Sequence, residues 1–396
     1  MSNRAMIAVL AVAAFIGMTA IVSFDLLMPR IAEDMGTSVA AIAQISFVMY
    51  VMGATLGLLL GPVADHYGLK RVIMLGGLAL ALSCVLTALS TGYLMLLISR
   101  LPAGIGIMGA VAVAIAASRL PESERRKGIG WISSTVPLAA ILGSPVLGII
   151  AHYSHWRLSY ITLALVFLAI TALLWRHVPA DPPWPANRFN ASAVIHAYGP
   201  ILRHHASLFL YLADMLRGTS TWLIWIFFSA FLVQHHGLSL QQVSFVYTTI
   251  GISYVAGTRL GNGDFRWLGL HSWFVLSTLA MLLPAMLVLS GTLGLGVSII
   301  VMAVMTFLAG IGFPAITIMI SEASRAGQGT AMMLRRAAFA ASQALAASAG
   351  GALLTLGGFP MLGYGVVVFG LFSVMAIVFA GRLLASEQVR PVPAGE

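Results

Sequence analysis

The chain has 396 residues, of which 60% are hydrophobic and only 8% are charged, and its mean hydropathy is +0.97. Soluble domains carry about 25% charged residues, so this chain has too little polar surface to cover a water-soluble globule of its size. The single cysteine, Cys84, excludes an intramolecular disulfide and a cysteine-based zinc site. The composition indicates a polytopic membrane protein.

Apolar runs long enough to cross a bilayer, about 20 residues each, recur along the whole chain. They are predicted at 6–28, 41–62, 72–90, 93–117, 129–151, 157–177, 207–233, 241–258, 268–289, 294–320, 330–356 and 360–384. Between the sixth and seventh runs, residues 178–206 contain three prolines in Asp181-Pro182-Pro183-Trp184-Pro185, which marks a linker outside the bilayer. The sequence therefore predicts an all-α membrane protein whose 12 helices form two six-helix, pseudo-symmetric bundles. These are residues 1–177 and 207–396, the second ending in a short tail.

The basic residues give an orientation, because lysine and arginine are enriched in cytoplasmic loops. With both termini cytoplasmic, all but four of the 21 lysines and arginines lie on the cytoplasmic side; the exceptions are Arg30, Arg100, Arg157 and Arg217. The net charge of +9 then follows the membrane topology, and no nucleic-acid partner is expected. We expect a multi-pass protein of the cell (inner) membrane.

Two six-helix halves joined by a cytoplasmic linker favour a repeat-built secondary transporter with its site near the midplane, although topology alone leaves a channel or an integral enzyme open. We find no nucleophile–base pair and no cluster of metal ligands within the spans. The sequence therefore predicts no enzyme activity, no catalytic residue, no metal site and no cofactor.

The loop between spans 2 and 3 ends the second helix with Gly-Pro, places an acid in the turn and then presents two cations. Its five marked positions are Gly61, Asp65, Gly68, Lys70 and Arg71. An acid here can cap the next helix or pair with a cation, although an ordinary polar loop is the alternative interpretation. The pattern resembles motif A of the major facilitator superfamily, with one extra residue before the basic pair and His66 in place of the usual arginine.

Two charged residues of the first half lie within predicted spans, where charge is costly and usually functional. Asp25 is a proton carrier or a counter-ion for a cationic substrate, or else an interfacial acid paired with Arg30. Arg100 faces a wet cavity or a counter-charge, or else extends to the outer interface. Asp25 resembles the acid of a D-x-x-x-P segment in CflA/Bcr-like exporters, and Arg100 resembles the arginine of motif B in drug:proton antiporters.

The second half carries its own charges near or within the spans. Asp214 and Arg217 are three residues apart on span 7 and so share a helix face. They form either a structural pair or a switch in which protonation of Asp214 frees Arg217. Arg335 and Arg336 open span 11; extension to the cytoplasmic interface is favoured, and projection of one into the inward mouth, where it would favour an anionic group, is the alternative.

Span 5 contains small residues around a proline, which alone predicts a kinked helix. The residues are Ala140, Gly143, Ser144, Pro145 and Gly148. They resemble motif C, the antiporter signature G-x-x-x-G-P-x-x-G, with Ala140 and Ser144 in place of two glycines.

These resemblances identify the chain as a member of the major facilitator superfamily, in the 12-span drug:proton antiporter family that includes CflA/Bcr-like multidrug exporters. The resemblance implies efflux of a small amphiphilic compound, driven by inward proton flow, as two halves rock about a central cavity. It implies that Asp25 takes the proton, Arg100 relays it or balances its charge, Asp65 latches with Arg71, and span 5 is a hinge. The expected partners are the substrate, protons and the bilayer, with the chain as a monomer. A metabolite, sugar or siderophore-like anion is the alternative cargo.

Overall fold

The structure is a computed structural model that describes residues 3–106, 108–181, 196, 198–261, 269–323 and 328–389. The described residues form helices and connecting turns, without a β-strand among them. This confirms the predicted all-helical class.

Twelve helical segments follow one another along the described chain. We number them as spans. α1 is Asn3–Asp34, α2 is Val39–Tyr67, α3 is Leu69–Ala88 and α6 is Trp156–His177. α4 consists of Tyr93–Ser99, a 3-10 turn Pro102–Ile105 and Met108–Arg119. α5 consists of Glu122–Leu138, a π turn Ala139–Gly143 and Ser144–Tyr153. A short helix, Gly199–Leu202, precedes α7, His205–His236. α8 is Leu240–Gly261, α9 is Gly269–Leu289 and α10 is Leu295–Glu322. The helix Gln328–Val389 is divided at Gly357 and Gly358 into α11 (328–356) and α12 (359–389).

Among the described residues, nine helices are long and apolar enough to cross a membrane by length and composition. The ninth covers Thr330–Ser386 and contains both α11 and α12, because Gly358 has a φ of 71° and turns the chain back. Two further spans fall outside those nine: α5 is interrupted by its π turn, and α8 carries many hydroxyl residues. Together these segments make the 12 predicted spans.

The outward surface of the bundle is apolar, as contact with lipid requires. Large aliphatic side chains are half exposed or more on several helices, including Leu75 at 62%, Leu165 at 62% and Leu283 at 62%. In water, an apolar surface of this extent would make a monomer prone to aggregation, whereas in a bilayer it contacts the lipid chains. The surface is therefore that of a membrane-embedded protein.

α4 differs from the continuous helix that its apolar run predicts. Its backbone leaves the α-helical path after Arg100 and resumes it at Met108. Two glycines in the interruption let neighbouring helices approach closely: a Cβ on Gly104 would collide with Met52 of α2, and one on Gly106 with Leu80 of α3. Hydropathy cannot detect such an interruption, because the residues in it are as apolar as those of the helix.

The two halves contact each other near one end of the bundle, which we call the Ser38 face and which carries the loops around Ser38, Ser154 and Gly237. Ser229 of α7 donates a hydrogen bond to the Leu26 carbonyl of α1, at 2.6 Å. Gly351 of α11 lies so close to α2 that a Cβ there would collide with Gln44. The opposite end, which carries Gly68 and Asp181, is called the Gly68 face.

The domain division at 177 and 207 stays a prediction. Of the predicted linker, residues 182–195 and 197 lie outside the described residues. Tyr198, at its far end, donates a hydrogen bond to the Leu58 carbonyl of α2 at 3.1 Å, so the chain entering the second half is attached to the first.

Candidate transport site

Asp25 is buried inside the bundle, with 2% of its surface exposed. Its carboxylate accepts hydrogen bonds from two neutral donors of α2, the Ser46 hydroxyl at 3.4 Å and the Tyr50 hydroxyl at 3.2 Å. Arg30, the interfacial partner considered from the sequence, pairs instead with Glu33 at 2.6 Å on the exposed surface. The structure thus places Asp25 in the interior and away from Arg30, where neutral hydroxyls satisfy its carboxylate.

Arg100 is also buried, with 2% of its surface exposed, and does not extend to the membrane surface. Its guanidinium lies over the Phe24 ring, 4.4 Å from the centroid, and one amino group lies 3.1 Å from the Met49 sulfur. Its Nε has no hydrogen-bond partner. Across the described part of the chain, no carboxylate lies within 4.0 Å of Arg100, so aromatic and sulfur contacts are what hold this cation.

A cavity between the two halves brings these residues together. From the first half it is lined by Met49 and Tyr50 of α2, Cys84 of α3 and Arg100 of α4. From the second half it is lined by Arg336 and Gln343 of α11. Because Tyr50 lines the cavity and also donates to Asp25, the buried acid lies one side chain behind the cavity wall.

Arg335 and Arg336 are neighbours in sequence but point to different surroundings, as adjacent helical residues must. Arg336 reaches the central cavity, while Arg335 forms an ion pair with Asp214, with its Nε 3.0 Å from a carboxylate oxygen. Side-chain exposure is only 12% for Arg335 and 9% for Asp214. Neither arginine behaves as the interfacial residue that the sequence favoured.

Asp214 and Arg217 share a helix but have different partners. Arg217 donates from Nε to the Thr278 hydroxyl at 3.0 Å and from an amino group to the Ala309 carbonyl at 2.6 Å. Asp214 instead binds Arg335 of α11. The predicted pairing of Asp214 with Arg217 is therefore replaced by two separate attachments, one from α7 to α11 and one from α7 to α9 and α10.

Motif A joins α2 to α3 on the Gly68 face. Gly61 and Asp65 lie in the last turns of α2, and the side chain of Asp65 is outside the described residues, so its latch with Arg71 stays a prediction. Gly68 has a φ of 106°, which favours glycine. Arg71 donates to the Tyr67 carbonyl at 2.7 Å.

Asp181, which follows α6, occupies the N-terminus of α3. Its carboxylate accepts from the backbone amides of Lys70 at 3.1 Å and Arg71 at 3.0 Å, and Arg119 of α4 pairs with it at 3.3 Å. In return, the Lys70 ammonium donates to the Val178 carbonyl at 2.7 Å, near the C-terminus of α6. Each helix end thus receives a side chain of the charge that its dipole favours. Sequence reasoning missed Asp181, because nothing in the sequence links it to a helix that begins 112 residues earlier.

The motif C residues form the π turn of α5 and its continuation. Pro145 has no amide hydrogen to donate to the Ile141 carbonyl four residues earlier. Thr248 of α8 donates to that carbonyl at 2.9 Å, so the second half supplies a hydrogen-bond donor to α5 next to its proline. Ala140 and Ser144 stand where motif C has glycines, and both have small side chains. The Ser144 amide donates the π-type hydrogen bond to the Ala139 carbonyl.

The two glycines of motif C permit close helix contacts. A Cβ on Gly143 would collide with Thr19 of α1, and one on Gly148 would collide with Ser244 of α8. Span 5 therefore packs directly against both halves. Its role as a hinge stays a prediction.

No group of three or more metal-ligating side chains is found in the ranges that the structure describes. The expectation that the protein needs no metal stays a prediction.

Comparison with known proteins agrees with the fold. The model of the Major Facilitator Superfamily matches residues 10–213. The chloramphenicol resistance protein CraA of Acinetobacter baumannii is 33% identical over 163 residues, 39% of this chain and 39% of that protein. The probable sulfoacetate transporter SauU of Cupriavidus necator is 26% identical over 257 residues, 61% of this chain and 60% of that protein. The chain thus spans less than two thirds of the length of these curated relatives.

Among solved structures, a bacterial homologue of the human lysosomal transporter Spinster, crystallised in an inward-facing and unoccupied conformation, matches with a TM-score of 0.74. It is 14% identical, and the match covers 100% of both chains. At that identity the likeness shows the fold, and the superfamily match shows the family. The chain belongs to the major facilitator superfamily.

Proposed function

We propose that this transporter exports small amphiphilic compounds by alternating access, in exchange for protons that bind Asp25. The observation that carries the proposal is the position of Asp25: it is buried, it has neutral donors, and it lies behind the Tyr50 wall of the central cavity. A carboxyl group that is held by neutral donors can gain and lose a proton without breaking an ion pair.

Two further features support export. The motif A and motif C patterns resemble those of drug:proton antiporters, and CraA is named for chloramphenicol resistance. In this proposal, the protein lies in the inner membrane with both termini and the Gly68 face in the cytoplasm. The cavity then opens to the cytoplasm when the Ser38 face is closed.

The test measures substrate-driven proton movement in proteoliposomes that contain the full chain and an interior pH dye, with a panel of amphiphilic drugs. Asp25→Asn should abolish proton movement, because asparagine cannot exchange a proton, while the protein still reconstitutes. Glu33→Gln is the matched control: it removes an acid of the same helix whose side chain is 69% exposed. Proton movement that Asp25→Asn leaves unchanged at every pH would contradict the assignment.

A second candidate keeps the fold and changes the cargo to one metabolite, sugar or siderophore-like anion. Its support is the similarity to SauU, whose name states sulfoacetate, together with the arginines of the cavity. Competition between labelled organic cations and labelled organic anions for uptake into vesicles distinguishes the two cargoes.

A further inference from the structure

The cavity between the halves is lined by two arginines and, within the described part of the chain, by no acidic residue. Arg100 comes from α4 of the first half, and Arg336 comes from α11 of the second. Asp25 lies behind Tyr50, and its carboxylate is bound by Ser46 and Tyr50. The charged side chains that line the cavity are therefore both cations.

Neither arginine has a carboxylate partner among the described residues. The acids that form ion pairs there are bound to other cations: Glu33 to Arg30, Asp181 to Arg119, Asp34 to both Arg157 and His155, and Asp214 to Arg335. Arg336 makes no hydrogen bond to another described residue, and its side chain is exposed to the cavity. A guanidinium at membrane depth without a salt-bridge partner is costly, so such residues normally mark a substrate or ion pathway.

The rest of the lining suits a ligand with both a charged and an apolar part. Met49 and Cys84 provide apolar surface, and Tyr50 and Gln343 provide hydrogen-bonding groups. A guanidinium binds a planar carboxylate or a sulfonate through paired hydrogen bonds, which favours these groups over a neutral amide of the same shape.

We propose that this cavity binds the anionic group of its substrate, a carboxylate or sulfonate, through Arg336 of α11 and Arg100 of α4. Because the two arginines belong to different halves, the bound anion is shared between the parts that move relative to each other. The inference rests on the proposed transport function, but neither on the direction of transport nor on proton coupling.

The experiment is equilibrium binding to the purified full chain in detergent, without any gradient. The probes are labelled 2-naphthoate and its uncharged isostere 2-naphthamide, with empty micelles as the background. We expect the wild type to bind naphthoate at least about 10-fold more tightly than naphthamide, since hydrogen bonds to charged groups have that order of strength. Equal affinity for the two probes would overturn the inference.

Variants locate the anion. Arg336→Gln should weaken naphthoate binding about 10-fold or more and leave naphthamide binding unchanged, and Arg336→Lys should lose less because it keeps the charge. Arg382→Gln is the matched control, since it removes an exposed arginine near the end of α12, outside the cavity lining. If Arg336→Gln and Arg382→Gln bound naphthoate with the same affinity, Arg336 would not bind the anion and the proposal would be refuted.

Thermal melting of each variant checks that it is folded. If Arg336→Gln is unfolded, Arg336→Lys together with a titration of wild type by naphthoate and naphthamide still decides whether the site prefers the anion. Failure of Asp25→Asn to change proton movement would contradict the proposed function and leave the result of this binding experiment standing, so the two failures are distinguishable.

Discussion

Each half of the chain buries an aspartate and an arginine within its helices, and the two halves surround these charges differently. In the first half, Asp25 contacts neutral hydroxyls and Arg100 contacts a ring and a sulfur. In the second half, Asp214 binds Arg335 and Arg217 binds a hydroxyl and a carbonyl. The second half thus uses its buried charges to join helices, whereas the buried charges of the first half contact neutral groups, as the proposed function requires.

The largest expected effect is on the stability of the second half. Asp214→Asn leaves Arg335 buried without its counter-charge, which should cost about 3–5 kcal/mol in the free energy of unfolding. Asp25→Asn, which separates no ion pair, should cost far less. Unfolding of both variants in mixed micelles measures the difference.

The double variant Asp214→Asn/Arg335→Gln controls this comparison, because it removes both charges and should recover much of the loss. Equal destabilisation by Asp214→Asn and Asp25→Asn would show that the halves do not differ in the way we describe.

The next effect concerns Arg217, which attaches α7 to α9 and α10. Arg217→Gln should destabilise the fold by about 2–3 kcal/mol, because a charged donor loses its contacts with Thr278 and the Ala309 carbonyl. Arg217→Lys keeps the charge but cannot reproduce the planar geometry, so it should fall between glutamine and wild type. Thermal melting in detergent compares the stability of the three proteins. If Arg217→Gln melted at the same temperature as the wild type, Arg217 would not have a structural role.

A smaller effect is expected where the halves meet. Thr248→Val keeps the shape of the side chain but removes the donor to the Ile141 carbonyl. Removing this hydrogen bond to a partly buried carbonyl should cost about 1–2 kcal/mol. Thr249→Val is the control, because Thr249 bonds within its own helix on the exposed side. Identical melting of the two variants would argue against a contribution from this contact between halves.

The smallest effect is expected from the exposed pair of Arg30 and Glu33, whose side chains are 47% and 69% exposed. Glu33→Gln should change the free energy of unfolding by no more than about 0.5 kcal/mol, because solvent screens such a pair. If Glu33→Gln lowered the free energy of unfolding as much as Asp214→Asn, burial would not determine how much these ion pairs contribute to stability.

The sequence predicts the helices well because hydropathy is a local property. The run 6–28 locates α1, although the helix extends over Asn3–Asp34, since polar and charged residues continue the backbone helix beyond the apolar stretch. The interruption of α4 after Arg100 escapes this reasoning, as it is made by close contacts of Gly104 and Gly106 with other helices.

The sequence predicts which residues form the site, but it does not predict which residues they contact. Hydropathy alone singles out Asp25, Arg100, Asp214 and Arg217, because charge within an apolar run is conspicuous. The contact of Asp214 with Arg335 joins residues 121 apart, and only the packing of α7 against α11 brings them together. Arg335 and Arg336 are likewise equivalent in sequence, and the rotation of α11 decides which one reaches the cavity.

The proline of α5 has a consequence for water. While the Ser38 face is closed, the Ile141 carbonyl receives its hydrogen bond from Thr248 across the boundary between the halves. Under the proposed alternating access, the outward-open state separates these two groups, and a carbonyl in a bilayer needs another donor. Water that reaches α5 as the outer side opens would supply this donor. The infrared frequency of an isotope-labelled Ile141 carbonyl would then change when the protein passes to the outward-open state.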